Sequence, residues 1–275
     1  ANDLSNPYFA EIITGFENAA IDNNYLVSIC TAQREIENYI RRLIAQRIDG
    51  VFIVGMPPLS DEKYHEIIFN MVEAGIRVLI NGIILKDSKE ISHIFVDHMT
   101  GIDKAVSYLK SMGHTHIAMV STFGRNSNFD IRDRMFFSAM DKYLPDSPKI
   151  FVSETGIRNP DMDSSYSLTK RLLTDHPEVT AVICLNDLMA YGVIQAATYF
   201  NKSVPDELSV IGMDDIYISR NFNPTVTSIG FDKREYGMMA FELLYNHIKK
   251  NIVKDIDIRT ELYIRSSTGL APGLK

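Results

Sequence analysis

Short uninterrupted runs of apolar residues, separated by helical segments, constrain the fold of this chain more than any other feature. The runs at 51–54, 117–120 and 181–184 lack the apolar–polar alternation of a strand that faces water on one side. They are typical of strands covered on both faces, as in a parallel sheet flanked by helices. Strand–helix alternation along the chain therefore predicts a doubly wound α/β architecture.

The first predicted helix has a clear start signal. Asn6 can cap it, and Pro7 suits its first turn because that position needs no backbone N–H. Further helices are predicted at 34–46, 61–74, 102–112, 131–143, 164–174, 188–200 and 233–250. Strands are predicted at 25–30, 51–54, 77–80, 94–97, 117–120, 149–152, 181–185, 208–213 and 260–265. Because a doubly wound domain normally begins with a strand, we also expect one before Ala1 in the complete protein.

The charge balance argues against nucleic-acid contact by these residues themselves. The 275 residues carry a formal net charge of −7, and 45% are hydrophobic, which suits two modest domains or one large one. Surfaces that hold DNA are usually basic, at least locally. The basic residues here form only short pairs, such as Arg41-Arg42 and Lys249-Lys250, which are typical of solvated helix faces.

The sequence also indicates where the protein is located and the state of its two cysteines. No run of about 18 apolar residues occurs, so no membrane span is expected. The N-terminus lacks the basic and apolar regions of a signal peptide, which favours a cytoplasmic protein. Cys30 and Cys184 lie in apolar runs and are expected to be buried thiols, with a disulfide as the alternative.

Well-marked catalytic and metal-binding motifs are absent from the sequence. It contains no G-x-G-x-x-G, no G-x-x-x-x-G-K-[ST], no G-x-S-x-G and no H-E-x-x-H. His114 and His116 form the one close histidine pair, and we expect structural roles for them rather than a metal site. The sequence therefore indicates a binding protein that uses no metal or cofactor, rather than an enzyme.

Polar side chains follow several of the predicted strands, at the edge where parallel α/β sheets bind ligands. These side chains include Asp97, the Asn186-Asp187 pair, the Asp214-Asp215 pair and those of the loop at 123–128. Amide and carboxylate groups beside aromatic faces suit a neutral polyol such as a sugar. The alternative is that these residues only cap the following helices. Asp187 in particular could cap the next helix while Asn186 faces a ligand.

Blocks along nearly the whole chain resemble the effector-binding core of LacI/GalR-type transcriptional regulators. Arg47-Ile48-Asp49-Gly50 is similar to the family's R-x-D-G, and the segment 113–118 is similar to G-H-x-x-I-A. The segment 205–215 resembles P-x-D-L-S-V-I-G-F-D-D, and 264–268 resembles the closing x-R-x-S-T. Segments 3–12 and 224–229 fit the same order.

The resemblance implies a type I periplasmic-binding-protein-like fold, with two doubly wound parallel-sheet subdomains joined by three crossovers. The first subdomain would comprise residues 1–114 and 230–251, and the second 115–229 and 252–275. It also implies a homodimer, and a helix-turn-helix DNA-binding headpiece that would precede residue 1. Operator DNA would then be contacted only through that headpiece, which agrees with the acidic balance of this chain.

The resemblance also implies a set of ligand-binding residues. Arg132 matches the effector arginine of R-x-x-G-F-x-x-A-[LM], although Met135 replaces the usual glycine. Asp214 matches the acidic ligand after V-I-G-x, and Asn186 matches the asparagine of sugar-binding members. A structural ion pair between Arg132 and Asp214 is the alternative to ligand binding. Further residues expected at the cleft or hinge are Tyr8, Phe9, Asp97 and Phe231, with core packing as an equal alternative for Tyr8 and Phe231.

The implied mechanism is a population shift in which a sugar or sugar phosphate binds the closed arrangement of the subdomains more tightly than the open one. That closure would alter operator affinity in the intact regulator. Arg125 together with Arg132 could favour a phosphate. The main alternative is a solute-binding protein of a sugar ABC transporter, which shares this fold, and a second is an α/β enzyme acting on a sugar or nucleoside.

Overall fold

The chain divides into two compact units in the computed structural model, which describes residues 6–31, 36–55, 61–82, 89–121, 131–153 and 161–274. The first unit comprises Ala1–Val96 and Asp232–Ile258. The second comprises Asp97–Phe231 and Arg259–Lys275. The chain therefore passes between the units three times, as the predicted architecture requires.

Helices and strands alternate along the described residues. The helices are α1 (Pro7–Asp22), α2 (Ile36–Ala45), α3 (Asp61–Glu73), α4 (His98–Ser111), α5 (Arg132–Tyr143), α6 (Met162–Asp175), α7 (Asp187–Tyr199) and α8 (Lys233–Lys250), with a 3₁₀ helix at Tyr217–Arg220. The strands are β1 (Gly50–Ile53), β2 (Arg77–Asn81), β3 (Ile91–Asp97), β4 (Ile117–Ser121), β5 (Ile150–Ser153), β6 (Ala181–Cys184), β7 (Ser209–Met213), β8 (Thr227–Gly230), β9 (Ile256–Arg259) and β10 (Glu261–Tyr263).

The first unit is built on a sheet with the strand order β1-β2-β3-β9. β1 pairs with β2, and β2 with β3, in parallel. Val78 and Ile80 of β2 are buried in one apolar cluster with Ile68 and Met71 of α3. At the start of this unit, the Asn6 side chain accepts a hydrogen bond from the Tyr8 backbone N–H at 3.0 Å, which confirms the predicted helix cap.

The second unit is built on a sheet with the order β10-β8-β7-β6-β4-β5. Its strands pair in parallel, except that β10 runs antiparallel to β8 at the edge. Every residue of β4, β6, β7 and β8 is buried. The prediction of a doubly wound parallel sheet covered on both faces is therefore confirmed.

α4 belongs with the second unit. Its Asp103 accepts hydrogen bonds from Lys142 at 2.9 Å and from the Tyr143 hydroxyl at 2.6 Å, both at the end of α5. Tyr108 lies 3.2 Å from the Thr268 hydroxyl, hydroxyl to hydroxyl. These contacts join α4 to the second unit, which begins at Asp97, whereas the predicted boundary follows residue 114.

Three strand assignments differ from the prediction. Residues 25–30 form no strand, because none of the described strands pairs with them, and the Leu26 side chain is fully exposed. β8 was not predicted because its Thr227 and Ser228 are polar, yet both are buried with their hydroxyls hydrogen-bonded to Thr268 and Asp187. β9 was missed because its burial alternates over only four residues.

Two glycines let α1 and α8 approach backbone to backbone. A Cβ atom on Gly15 would lie 2.0 Å from the carbonyl oxygen of Arg234, and one on Gly237 would lie 2.1 Å from that of Ile12. Real Cβ contacts are never that short, and neither neighbour is a side chain that could rotate away. Side chains larger than hydrogen are therefore excluded at this helix crossing unless the helices separate.

We predict that Gly237→Ala destabilises the protein although alanine is the better helix former by about 1 kcal/mol. Separating the backbones loses packing along the crossing, and we expect a net loss of about 1–3 kcal/mol of unfolding free energy in urea titrations. Gly269→Ala is the control, since its Cβ would meet nothing closer than 3.4 Å. A Gly237→Ala protein more stable than wild type would contradict the close approach.

Candidate functional site

The strand order of the second sheet reverses at β4. The chain runs from β4 to its neighbour β5 on one side, then returns to place β6, β7 and β8 on the other side. In open α/β sheets, ligands bind beyond the carboxyl ends of the strands at such a reversal. The crevice of this unit therefore lies at the carboxyl ends of β4 and β6.

Arg132 lies at this reversal. It is the first residue of α5, the helix that follows β4, and its guanidinium Nη1 donates a hydrogen bond to the backbone carbonyl of Leu185, directly after β6, at 3.3 Å. The side chain is half-buried. The contact joins the segments that follow the two strands and holds a permanent positive charge at the edge where a ligand would bind.

Asn186 begins the helix that follows β6. Its side-chain oxygen accepts a hydrogen bond from the Met189 backbone N–H at 2.8 Å, so Asn186 is the N-cap of α7. The prediction that Asp187 could cap this helix is therefore wrong. The buried Asn186 side chain supplies the cap itself, and ligand contact by this residue stays a prediction.

Asp187 is a completely buried carboxylate behind this edge. It accepts hydrogen bonds from the Ile216 backbone N–H at 2.9 Å and from the hydroxyls of Ser219 and Ser228, each at 2.6 Å. Burial raises the pKa of Asp187 to about 7, with the charge of Asp214 acting in the same direction against these hydrogen bonds. Asp187 therefore changes its charge near neutral pH.

Asp214 and Asp215 follow β7 in an unusual backbone conformation. Their φ angles are +99° and +48°, in the left-handed region that non-glycine residues rarely adopt. The Asp214 N–H donates to the Ile229 carbonyl at 2.7 Å, and the Asp215 N–H donates to the Ser228 hydroxyl at 3.0 Å. Strain of this kind costs on the order of 1–3 kcal/mol per residue and is concentrated at ligand clamps and active sites.

The two aspartates of this turn have different surroundings. Asp215 is buried and forms ion pairs with Arg220, at 2.6 Å, and with Arg265. The Arg265 guanidinium also donates to the Val226 carbonyl at 2.5 Å. Asp215 is therefore structural, whereas the half-buried Asp214 is the carboxylate at the surface of the turn.

Asp97, another predicted site residue, ends β3 and caps α4. Its carboxylate accepts hydrogen bonds from the Thr100 backbone N–H at 3.1 Å and from the Thr100 hydroxyl at 2.5 Å. Burial alone would raise the pKa of Asp97, but the hydrogen bonds from Thr100 outweigh it and lower the pKa. The helix starts one turn earlier than predicted because of this cap.

The predicted aromatic residues lie at two places in the fold. Tyr8 and Phe9 are half-buried in the first turn of α1, in the first unit, with their rings edge to face at 5.2 Å. Phe231 follows β8 in the second unit, with 5% of its surface exposed.

Within the second unit the structure thus brings Arg132, Asn186, Asp214 and Phe231 to one sheet edge. The loop at 123–128, including Arg125, lies outside the described residues.

Metal-ligand clusters and membrane-spanning helices are both absent from the described residues. These residues contain no group of three His, Cys, Asp or Glu side chains placed to hold a metal ion, and none of their helices is long and apolar enough to cross a membrane. His114 is buried between the Thr180 hydroxyl, at 2.9 Å, and the Gly269 carbonyl, at 3.1 Å. Cys184 is buried and Cys30 half-buried, both as thiols.

We predict that Asp187→Asn has a larger stability cost at pH 5 than at pH 8. The unfolded carboxyl titrates near 3.8 and the folded one near 7, so the wild type loses stability as the pH rises through that window. The loss is at most about 1.4 kcal/mol per pH unit. Asparagine does not titrate, so the stability of the variant lacks this dependence on pH.

Urea unfolding of both proteins at pH 5 and pH 8 measures this difference directly. Titrating groups remote from Asp187 are common to the two proteins and cancel in the comparison. An identical cost of the substitution at both pH values would show that Asp187 keeps one charge state throughout.

Known proteins resemble this chain over most of its length. A family model described as a periplasmic binding protein-like domain matches residues 106–268. The HTH-type transcriptional repressor PurR of Pasteurella multocida (strain Pm70) is 30% identical over 271 residues, which cover 95% of this chain and 77% of the repressor.

Solved structures are similar over almost the whole chain. A LacI family transcriptional regulator from Enterococcus faecium, with bound ribose, has a TM-score of 0.83 and 25% identity, covering 98% of this chain and 97% of that one. A LacI family regulator from Arthrobacter sp. FB24, in complex with lactose, shares the fold with a TM-score of 0.82, 21% identity and coverage of 97% and 96%.

These relatives regulate transcription, and they set aside both the transporter alternative and the enzyme alternative. The match spans both units, including the polar edge that carries Arg132 and Asp214. The chain belongs to the LacI/GalR family of transcriptional regulators, of which it is the periplasmic-binding-protein-like, effector-sensing domain.

Proposed function

We propose that the effector of this domain is a sugar, and that Arg132 and Asp214 bind its hydroxyl groups. The observation that carries the proposal is the hydrogen bond from Arg132 to the Leu185 carbonyl, which holds a guanidinium at the strand-order reversal. Asp214 adds a half-buried carboxylate at the same edge, close enough to raise the pKa of Asp187. A cation and an anion together can donate to and accept from the same hydroxyl-rich ligand.

Sugars are favoured over other ligands by the chemistry of the edge and by the relatives. The solved family members described above hold ribose and lactose, which are neutral polyols. Asn186 adds an amide to the edge, and Phe231 adds an aromatic ring beside it. We propose Tyr8, Phe9 and Asp97 as further contacts of the same effector.

We further propose that the domain acts as a homodimer and controls operator DNA through a helix-turn-helix module. The matching repressor from P. multocida is named an HTH-type repressor, and this chain corresponds to 77% of its length. Dimeric regulators of this kind read two half-sites, so an effector that prefers one conformation of the sensing domain changes operator affinity. A protein that acts on operator DNA works in the cytoplasm.

We predict that a sugar raises the thermal stability of this domain and that the gain depends on Arg132 and Asp214. A hundredfold excess over the dissociation constant stabilises by about 2.7 kcal/mol. The panel is ribose, glucose, sucrose and lactose, with the phosphorylated forms of ribose and glucose. Thermal shift identifies the ligand, and calorimetric titration measures its affinity.

Arg132→Ala and Asp214→Ala should each weaken binding by about tenfold to a hundredfold, since a hydrogen bond to a charged group contributes about 1.5–3 kcal/mol. Arg134→Ala is the matched control, because this arginine is exposed on the same helix. Binding that survives both site substitutions would refute this ligand site. A response only to the phosphorylated forms would replace the neutral sugar with a sugar phosphate.

We predict that sedimentation equilibrium gives a mass of about twice the 31.1 kDa of the chain. Two-fold symmetry of the regulator is what would place two DNA-binding modules on two half-sites. A chain that stays monomeric at tens of micromolar, in the presence and absence of the sugar, would contradict the proposed homodimer.

A further inference from the structure

Asp187 has contacts that its place in the chain does not explain. It is the first residue of α7, yet the N-cap role belongs to Asn186. Its carboxylate instead accepts hydrogen bonds from the segment after β7 and from β8, through the Ile216 N–H and the hydroxyls of Ser219 and Ser228. Its carboxylate therefore links α7 to a segment about 30 residues further along the chain.

These contacts lie next to the Asp214–Asp215 turn. Ile216, whose N–H donates to Asp187, directly follows the turn. Ser228 donates to Asp187 and accepts from the Asp215 N–H, so it connects the carboxylate to the turn itself. Two consecutive left-handed residues persist only where the surroundings hold them. Here Ser228 accepts from the Asp215 N–H, and Asp187 in turn accepts from Ser228 and from the Ile216 N–H.

Two glycines allow close packing around the Asp187 carboxylate and the turn. A Cβ atom on Gly212 of β7 would lie 2.0 Å from its Oδ1. A Cβ on Gly230, at the end of β8, would lie 2.3 Å from the Cβ of Asp215. The absence of side chains at both glycines is what lets the carboxylate and the turn come together.

We propose that Asp187 is a positioning residue for effector binding, which holds the Asp214–Asp215 turn in the conformation that presents the Asp214 carboxylate at the sheet edge. The inference rests on the proposed role of Asp214 as an effector ligand. Asp187 itself is fully buried and so lies out of reach of an effector. Its effect on affinity comes through the fraction of molecules in which the turn has the binding geometry.

The charged and titratable groups around Asp187 differ in what they do to it. Asp214 repels its negative charge, and the buried Cys184 and Tyr191 lie near enough to feel that charge. Asp215 is neutralised by Arg220 and Arg265. Asp187 is thus held by hydrogen bonds rather than by an ion pair.

An asparagine at this position can replace the carboxylate chemically. Its oxygen can accept from the Ile216 N–H and the Ser219 hydroxyl, and its amino group can donate to the Ser228 oxygen. Ser228 then turns its own proton to the Ile229 carbonyl, 3.5 Å away. Alanine offers none of these groups, so Asp187→Asn retains the hydrogen bonds that Asp187→Ala removes.

The test measures the turn and the affinity in the same proteins. Hydrogen exchange reports the amides of Asp215 and Ile216, and calorimetric titration with ribose, glucose, sucrose and lactose reports affinity. Leu172→Ala is the matched control, since Leu172 is fully buried in α6 of the same unit and its loss destabilises the core without touching the turn. Ser228→Ala removes the connection between Asp187 and Asp215 and serves if Asp187→Ala does not fold.

We expect Asp187→Ala and Ser228→Ala to speed exchange at the turn, and to weaken sugar binding, by about tenfold or more relative to Leu172→Ala. Asp187→Asn should stay within about threefold of wild type in both measurements, because it restores the hydrogen bonds. Control-like affinity in Asp187→Ala, or turn amides that stay protected in it, would overturn the inference.

Failure of the proposed function gives a different pattern. If Asp214→Ala binds sugar as well as wild type, or if wild type binds none of the four sugars, the ligand assignment is overturned, and the effector role of Asp187 with it. In that case, fast exchange at the turn in Asp187→Ala would show that Asp187 holds the turn and that only the ligand assignment is wrong.

Discussion

Parallel pairing of strands that are buried on both faces is the constraint on which this protein depends. β4, β6, β7 and β8 have no solvent-facing side, so helices must cover them, and polar side chains that have no partner within the fold can lie only where the strands end. Parallel direction puts those ends at one edge. The order reversal at β4 then opens that edge where Arg132 meets the Leu185 carbonyl.

Three aspartates near this edge have different roles because their neighbours differ. Asp215 is neutralised by two arginines and Asp187 is buried among hydroxyl and amide donors, while Asp214 lies half-buried at the surface of the turn. We propose that the last accepts from a ligand and that the other two hold its backbone. A binding site built this way keeps its carboxylate oriented before the ligand arrives, which lowers the entropy cost of binding.

Much of the fold could be predicted from local patterns, because apolar runs and helix caps are local properties. The cap at Asn6 and the full extent of α8 are examples. Predictions failed where a partner far along the chain decides the outcome. Thr227 and Ser228 read as polar surface residues, yet they form a buried strand because Thr268 and Asp187 satisfy their hydroxyls.

The sequence by itself determined the α/β class, the edge at which polar residues gather and the family, since each depends on patterns or motifs in consecutive residues. Only the tertiary structure decided which of Asn186 and Asp187 caps α7, and which acid of the Asp214–Asp215 pair is structural. The physical reason is that burial and charge pairing are set by residues such as Ser228 and Arg265, which are distant in the chain and adjacent only after folding.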